Sequence, residues 1–270
     1  MQLVDRGYRR FVRFPKPYVE LLDCIQQHLV PRTYVEVGVS TGRTLSLALP
    51  GTVCIGIDPA PKLRAPLGPT SRLFTSTSDD FFAHQDLRSL LEGRPVDLAF
   101  IDGLHHFEVA LRDFINLERF ASSDSVVLIH DCYPIDELTA TRERTTAIWS
   151  GDIWKLILCL KQWRPDLQVN VADTAPTGLG IVRGLDPDST VLEESYDRIY
   201  EQFIALPFAT LDRSKAEMLN RVPGDWNTVR SLLPTMPFRP YNVTLFRGRQ
   251  AVAGMVAAGR RYVAGRPPKV

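Results

Sequence analysis

Residues 33–58 read TYVEVGVSTGRTLSLALPGTVCIGID, in which two apolar runs of strand length flank a turn that contains glycine. The runs Thr33–Val39 and Val53–Ile57 are rich in β-branched residues, which favour strands. Between them, Thr44–Leu49 has the spacing of a short helix. A strand, a helix and a second strand in this order predict a βαβ unit, whose two strands are parallel.

The same alternation continues on both sides of this stretch. Upstream, Tyr18–Val30 has apolar residues at helical spacing. Downstream, the pattern predicts strands at Arg72–Thr75, Val96–Ile101 and Ser125–Ile129, and helices at Asp79–Leu91, Val109–Phe120 and Ile153–Trp163. Repeated alternation of this kind predicts an α/β fold with a Rossmann-like, doubly wound and mostly parallel sheet.

The last two predicted strands cannot be parallel to each other. Leu167–Val171 and Gly178–Val182 are separated by only a few residues, whereas a parallel crossover needs a dozen or more. We therefore expect a seven-stranded sheet that ends in an antiparallel hairpin. Residues 1–185 are predicted to form this domain with its N-terminal helix, and residues 186–270 a helical, basic C-terminal extension.

Composition excludes several classes of protein. The chain has 270 residues, 44% of them hydrophobic, and a net charge of +1, which argues against a disordered chain and against a nucleic-acid-binding protein. It has no apolar run of spanning length and no apolar region of a secretory signal, so we expect a cytoplasmic protein. Beyond Asp225 lie seven arginines, one lysine and no acid. This basic tail suggests a contact between subunits of a homo-oligomer.

The turn after the first strand has the spacing Glu36-x-Gly38-x-Ser40-x-Gly42. Glycines in a turn from strand to helix let the backbone approach a ligand closely. A dinucleotide-binding turn needs a further glycine where this chain has Arg43, which weighs against a nicotinamide cofactor. Asp58 ends the second strand, twenty residues beyond Gly38, where a carboxylate can accept hydrogen bonds from the hydroxyls of a ribose.

Two later strands end in polar clusters, FIDGLHHFE and VLIHDCYP. Ligands of doubly wound sheets bind beyond the carboxyl ends of neighbouring strands, so Asp102, His105, His106, His130 and Asp131 are expected to converge there. Two carboxylates and an imidazole could hold a divalent cation, with Mg²⁺ or Mn²⁺ preferred and Fe²⁺ or Zn²⁺ possible through His130. A histidine is also a suitable general base for a hydroxyl group.

Together, the segments EVGVSTGRT, GIDP, TSDDFF, FIDGLHHFE and VLIHDCYP resemble those of class I S-adenosylmethionine-dependent methyltransferases. Within that class the chain is most similar to the macrocin-type and cephalosporin-hydroxylase-like O-methyltransferases of small molecules. The resemblance extends over about residues 18–185. It implies a sheet with a terminal hairpin, S-adenosylmethionine as methyl donor, and a divalent cation such as Mg²⁺.

The resemblance also implies a role for individual residues. The methionine part of the donor would be held by Glu36, Gly38, Val39, Ser40 and Gly42, the ribose by Asp58, and the adenine by Ser78 and Asp79. The metal would be held by Asp102, His130 and Asp131, with His130 standing where some relatives carry glutamate. His105 falls where such relatives place the catalytic base, next to Asp102.

These observations lead to one hypothesis and two alternatives. The hypothesis is methyl transfer to a hydroxyl of a sugar, glycoside, polyketide or phenol in natural product biosynthesis, with His105 removing the proton. The long connection 132–153 would line the acceptor pocket with Tyr133, Trp149 and Trp154, and Arg142 and Arg144 would suit an acidic group. The alternatives are an NAD(P)-binding oxidoreductase and a non-catalytic nucleotide-binding protein on the same fold.

Overall fold

A computed structural model describes residues 17–211, 214–235, 237 and 238. The strands are β1 (Thr33–Val37), β2 (Val53–Ile57), β3 (Ser71–Phe74), β4 (Leu98–Ile101), β5 (Val126–His130), β6 (Gln168–Asp173), β7 (Leu179–Arg183) and β8 (Arg221–Pro223). The α-helices are α1 (Tyr18–Leu29), α2 (Ser78–His84), α3 (Leu87–Leu90), α4 (Phe107–Glu118), α5 (Trp154–Trp163), α6 (Val191–Glu194), α7 (Tyr196–Ile204), α8 (Lys215–Met218) and α9 (Trp226–Ser231).

All eight strands form one sheet in the order β3-β2-β1-β4-β5-β7-β6-β8. The first five are parallel, and β7 runs antiparallel to both β5 and β6. The predicted fold class and terminal hairpin are thus confirmed. The strand count differs, because β8 pairs in parallel with β6 at the edge of the sheet. The segment after residue 185 is therefore not purely helical, and the domain division at that residue stays a prediction.

Two predicted helices are shorter than their sequence patterns indicate. Thr44–Leu49 contains a single 3-10 turn, Leu45–Leu47, because Leu49 precedes a proline and that position disfavours helical backbone. The predicted helix Asp79–Leu91 is split into α2 and α3. The Asp86 side chain accepts the backbone N–H of Ser89 and so starts a new helix.

Both faces of the sheet are covered by helices. Along β1, Val35 and Val37 belong to a core shared with α4, α5 and α7, whereas Tyr34 belongs to a core shared with α1 and α9. Burial on both faces explains why the central strands read as continuous apolar runs. The polar ends of these strands remain at one edge, where the loops after β1, β2, β4 and β5 meet.

Some predictions concern residues outside the described ranges. Most of the basic tail lies beyond Phe238, so the oligomer contact predicted for it stays a prediction. Within the described part of the chain, no helix combines the length and the apolar character that crossing a membrane requires.

Candidate active site

The turn after β1 packs directly against the end of β4. Gly38 has a φ of +88°, and a Cβ atom there would lie 2.0 Å from the carbonyl oxygen of Asp102. Only glycine permits both the left-handed backbone and this approach. The glycine turn and the loop that carries Asp102 are therefore held against each other.

We expect Gly38→Ala to damage this junction much more than a matched change elsewhere. Gly93 also has positive φ, +77°, but a Cβ atom there has no neighbour within 4 Å. Gly93→Ala should therefore lower the stability of the fold only by the cost of the strained backbone, about 1 kcal/mol. Gly38→Ala adds the clash with Asp102, so urea unfolding should show a clearly larger loss of stability. Equal losses in the two variants would contradict the close packing of turn and strand end.

Asp58 fixes the glycine turn to the end of β2. Its two carboxylate oxygens accept the backbone N–H groups of Ser40, at 2.6 Å, and of Ala60, at 2.7 Å. Each oxygen of a carboxylate can accept a second hydrogen bond. Asp58 can therefore shape the turn and also bind a hydroxyl group of a ligand.

Glu36 lies beneath the turn and is fully buried. The hydroxyls of Tyr34 and Thr44 donate hydrogen bonds to its two oxygens at 2.6 and 2.7 Å. Burial raises the pKa of Glu36 to about 8, although these two hydrogen bonds act to lower it. Its contacts support the turn from inside the fold.

The raised pKa predicts a pH dependence of stability. A carboxyl group whose pKa rises from 4.5 in the unfolded chain to about 8 in the folded one stabilises the fold below pH 4.5. That contribution is lost as the pH rises from 4.5 through 8. The stability of the wild type relative to Glu36→Gln should therefore fall over this range, by on the order of a few kcal/mol. Urea unfolding at pH 5 and 8.5 measures the difference in unfolding free energy between the wild type and Glu36→Gln. Glu194→Gln, at an exposed position, is the control. A difference that does not change with pH would contradict the raised pKa of Glu36.

Ser78 and Asp79 open helix α2, beside the end of β3. Ser78 is 9% exposed. The carboxylate of Asp79 accepts two hydrogen bonds from the guanidinium of Arg112, at 2.8 and 2.7 Å. Arg112 lowers the pKa of Asp79. Asp79 is thus held by an ion pair with α4, which the sequence pattern did not reveal.

Asp102, His105, His130 and Asp131 meet between the ends of β4 and β5. His130 Nδ1 lies 3.1 Å from Asp102 Oδ1 and 2.9 Å from Asp131 Oδ2. His105 Nε2 lies 3.1 Å from Asp131 Oδ2 and 3.6 Å from Asp102 Oδ1. The expected convergence of these residues is observed, whereas the ring of His106 faces the loop that follows, with Nε2 3.1 Å from the carbonyl oxygen of Arg142.

The orientation of His105 is set by the connection 132–153. Its Nδ1 lies 2.9 Å from the carbonyl oxygen of Trp149, so Nδ1 carries a proton and donates it. The imidazole also stacks on the Trp149 ring, with centroids 4.8 Å apart. In neutral His105 the lone pair is therefore on Nε2, the nitrogen that faces the carboxylates.

The charges of the cluster shift one another's pKa values. Burial raises the pKa of Asp102, but His130 and His105 outweigh burial and lower it to about 2. Burial lowers the pKa of His130, but Asp131 and Asp102 raise it to about 10. The pKa of His105 is raised as well, because its contacts with Asp102 and Asp131 outweigh burial. The cluster therefore favours ionised carboxylates beside a protonated His130.

Thr177 is a member of the site that the sequence analysis missed. It lies in the turn of the β6–β7 hairpin, and its hydroxyl donates a hydrogen bond to Asp131 Oδ1. Asp131 itself has a φ of +60°, which is unusual for a residue other than glycine. Because β7 begins beside His130 in the register of the sheet, the pairing of the hairpin with β5 was the signal that could have placed Thr177 here.

The connection 132–153 has no regular helix or strand, but polar contacts attach it to the start of α4. The guanidinium of Arg142 binds Glu108 at 2.6 Å and Asp152 at 2.7 Å. Asp152 Oδ1 also accepts the backbone N–H of Phe107 at the start of α4. Arg142 thus has protein carboxylates as partners, where an acidic group of an acceptor was expected.

The aromatic residues expected in the acceptor pocket have three different positions. Trp149 stacks on His105. Tyr133 is partly buried, and the cationic groups of Lys215 and Arg221 lie 4.6 and 5.3 Å from the centroid of its ring. Trp154 was wrongly expected there. It is 1% exposed and packs in the core against Phe208, because it opens the amphipathic helix α5 and points inward.

The donor set fits a divalent cation. Asp102, His105 and Asp131 each offer one ligand atom, and these atoms lie within 4.8 Å of one another. Carboxylate oxygens suit Mg²⁺ or Mn²⁺, and an imidazole extends the choice to Fe²⁺ or Zn²⁺. His130 touches both carboxylates through Nδ1, so it can orient them as a hydrogen-bond donor.

Comparison with known proteins gives three findings. Residues 35–132 match the family model described as a methyltransferase domain. No curated protein matches the chain. Among solved structures, the fold is similar to cofactor-bound Rv0187 from MTB, with a TM-score of 0.50, 16% identity, and coverage of 68% of this chain and 88% of that one. It is also similar to the O-methyltransferase TomG from Streptomyces achromogenes in complex with SAM, with a TM-score of 0.50, 14% identity, and coverage of 67% and 86%.

Proposed function

Because residues 35–132 match a methyltransferase domain, we propose that the chain is a class I, S-adenosylmethionine-dependent methyltransferase and that it methylates a hydroxyl group of a small molecule. One observation carries this proposal. Two carboxylates and two imidazoles meet at the ends of β4 and β5, directly beside the glycine turn. A donor held by the turn would then face side chains that can bind and deprotonate a hydroxyl.

The donor would be S-adenosylmethionine, which supplies a methyl group on a positively charged sulfur. Gly38, Val39, Ser40 and Gly42 would hold its methionine part through the turn, with Glu36 supporting the turn from below. Asp58 would bind the ribose hydroxyls with the acceptor capacity that its two backbone hydrogen bonds leave. Ser78 and Asp79 would border the adenine. The bound cofactor of Rv0187 and the SAM of TomG support this assignment by analogy of fold.

A divalent cation would be held by the carboxylates of Asp102 and Asp131. Mg²⁺ is commonly bound by one or two carboxylates and keeps several waters. When bound, such a cation supplies a positive charge that lowers the pKa of a neighbouring hydroxyl. Thr177 and His130 keep the two carboxylates in place through their hydrogen bonds.

His105 would act as the general base. Its Nδ1–H stays bonded to the carbonyl oxygen of Trp149, so Nε2 is the nitrogen that can accept the proton of the acceptor hydroxyl. As the hydroxyl oxygen forms a bond to the methyl carbon, the sulfur–carbon bond breaks and its electron pair stays on sulfur. Stacking on Trp149 limits rotation of the imidazole and keeps Nε2 directed at the site.

The acceptor would be a sugar, glycoside, polyketide or phenol, as in natural product biosynthesis. The connection 132–153 borders the carboxylate cluster and offers the rings of Tyr133 and Trp149, neither of which is fully buried. Aromatic side chains stack well on planar or apolar faces of ring-shaped ligands.

A turnover assay tests this proposal. The purified chain is incubated with S-adenosylmethionine labelled in the methyl group and with a panel of sugars, glycosides and phenols, with and without a chelator. Labelled product that depends on the cation supports the proposal, and product that forms equally with chelator contradicts the metal-assisted step. Reduction or oxidation of a nicotinamide cofactor, measured in parallel, would favour the oxidoreductase alternative.

A further inference from the structure

The turn of the β6–β7 hairpin packs against the residues that follow β5. The backbone N–H of Tyr133 donates a hydrogen bond to the carbonyl oxygen of Thr177, at 2.7 Å. The next residue, Gly178, has a φ of +76°, and a Cβ atom there would lie 2.6 Å from the Cβ atom of Tyr133. The backbone N–H of Gly178 also donates to the carbonyl oxygen of Thr174, which closes the turn. The backbone of Thr177 is therefore fixed close to the end of β5.

The side chain of Thr177 is buried and directed at Asp131. It is 1% exposed, and its hydroxyl donates a hydrogen bond to Asp131 Oδ1. A threonine branches at Cβ, so few rotamers are open to it in a packed position. Asp131 has little freedom as well, since it is 4% exposed and has left-handed backbone. The hydrogen bond therefore joins two groups whose positions are fixed by the fold.

The topology of the sheet places Thr177 and Asp102 on opposite sides of Asp131. In the sheet, β5 lies between β4 and β7. Asp102 directly follows β4, Asp131 directly follows β5, and Thr177 lies just before β7. The hairpin turn thus reaches the Asp131 carboxylate from the side that faces away from Asp102.

The two oxygens of the Asp131 carboxylate have different surroundings as a result. Oδ1 accepts the hydrogen bond of Thr177 from the hairpin. Oδ2 faces the cluster, 2.9 Å from His130 Nδ1 and 3.1 Å from His105 Nε2. An oxygen that accepts one hydrogen bond keeps a second lone pair, so Oδ2 can bind a cation that Asp102 also binds. The carboxylate therefore offers Oδ2 to the cluster while Oδ1 is held by the hairpin.

Divalent cations differ in how they use a carboxylate. Ca²⁺ takes more oxygen ligands at longer distances, and it often binds both oxygens of one carboxylate. Mg²⁺ is smaller, requires nearly octahedral geometry and keeps several of its waters. Binding through both oxygens requires the two to point at the same cation. The hydrogen bond from Thr177 opposes this arrangement, because it holds Asp131 Oδ1 toward the hairpin.

We propose that Thr177 makes the cation site selective for Mg²⁺ over Ca²⁺ by holding Asp131 as a ligand through one oxygen. This inference rests on the cation of the function proposed above. Thr177 is a positioning residue in this role, since it acts on the cation through Asp131. The terminal hairpin thereby takes part in the chemistry of the site as well as in the sheet.

Cation titrations of the full chain test the proposal without an acceptor. The variant Thr177→Val removes the hydroxyl and retains the shape of the side chain, so that Oδ1 can turn toward the cation. Calorimetry with magnesium chloride and with calcium chloride gives the two Kd values. We expect the ratio of the Kd for Ca²⁺ to the Kd for Mg²⁺ to fall by about tenfold or more in Thr177→Val. Thr177→Ser retains the hydroxyl and should restore most of the ratio.

The matched control is Thr52→Val, which makes the same change at another buried threonine. The hydroxyl of Thr52 donates a hydrogen bond to the carbonyl oxygen of Pro31, at 2.8 Å. Thr52 directly precedes β2, at the end of the strands opposite to the cluster. Thr52→Val should therefore leave both cation affinities unchanged.

Several results would overturn the proposal. Equal losses of affinity for Ca²⁺ and Mg²⁺ in Thr177→Val would show that the residue only supports the site in general, and unchanged affinities would show no role at all. A wild-type chain that binds Ca²⁺ about tenfold more tightly than Mg²⁺ would also refute the selectivity, whether or not any variant folds. A wild type that binds neither cation would overturn the cation of the proposed function as well, so the two failures are distinguishable.

Discussion

Replacing His105 with glutamine should lower kcat by about 10²–10⁴-fold, because proton removal from the acceptor hydroxyl would lose its base. The Kd for S-adenosylhomocysteine should stay within about twofold, since the donor contacts proposed above do not include His105. Methyl-transfer kinetics and calorimetry measure the two quantities on the same preparation. His28→Gln is the matched control, because His28 lies near the C-terminal end of α1, where its Nε2 contacts the carbonyl oxygen of Pro234.

The same variant separates two roles of the His105 imidazole. Its Nε2 is within 3.1 Å of Asp131, so it could either accept a proton or bind the cation, and one lone pair cannot do both at once. If His105 acts as the base and not as a ligand, the variant His105→Gln should bind Mg²⁺ or Mn²⁺ as tightly as the wild type. Loss of cation affinity along with kcat would instead make His105 a ligand and contradict its role as the base.

Replacing Asp131 with asparagine should have the second largest effect. The change leaves the shape of the side chain and an oxygen that can still accept the hydrogen bond from Thr177. It removes the negative charge that faces His130 and His105. We expect cation affinity to fall by about 10-fold to 100-fold or more, and activity to fall with it. Calorimetric titration with the cation measures the loss of affinity. Turnover at saturating cation measures the loss of activity.

Exposed Asp188→Asn supplies the control for Asp131→Asn, since it removes one negative charge far from the cluster. It should change neither cation affinity nor turnover. Full activity of Asp131→Asn in the presence of a chelator would be incompatible with a cation held by this carboxylate.

The sheet could be predicted because its signals are local. Strand-length apolar runs and the short spacing between Leu167–Val171 and Gly178–Val182 are enough to require a terminal hairpin. The resemblance to methyltransferases, which rests on the glycine turn and the strand ends, is confirmed by the domain match over residues 35–132. β8 escaped prediction because three residues carry too little periodicity.

The convergence of Asp102, His105, His130 and Asp131 also follows from local signals, since each lies at the end of a parallel strand. The contacts between distant segments do not. Thr177 reaches Asp131 across 46 residues, and Tyr18 reaches His130 from the other end of the domain. Arg142 was expected to serve the acceptor, but its partners Glu108 and Asp152 are visible only in three dimensions.

We propose that the glycine turn, Asp58 and the strand ends together form a site for a methyl donor. Titration of the folded wild-type chain with S-adenosylhomocysteine in a calorimeter tests it most directly. We expect one site per chain with a Kd on the order of micromolar, about −8 kcal/mol in binding free energy. No heat of binding at ligand concentrations of about 1 mM, from a chain that is folded by circular dichroism, would contradict it.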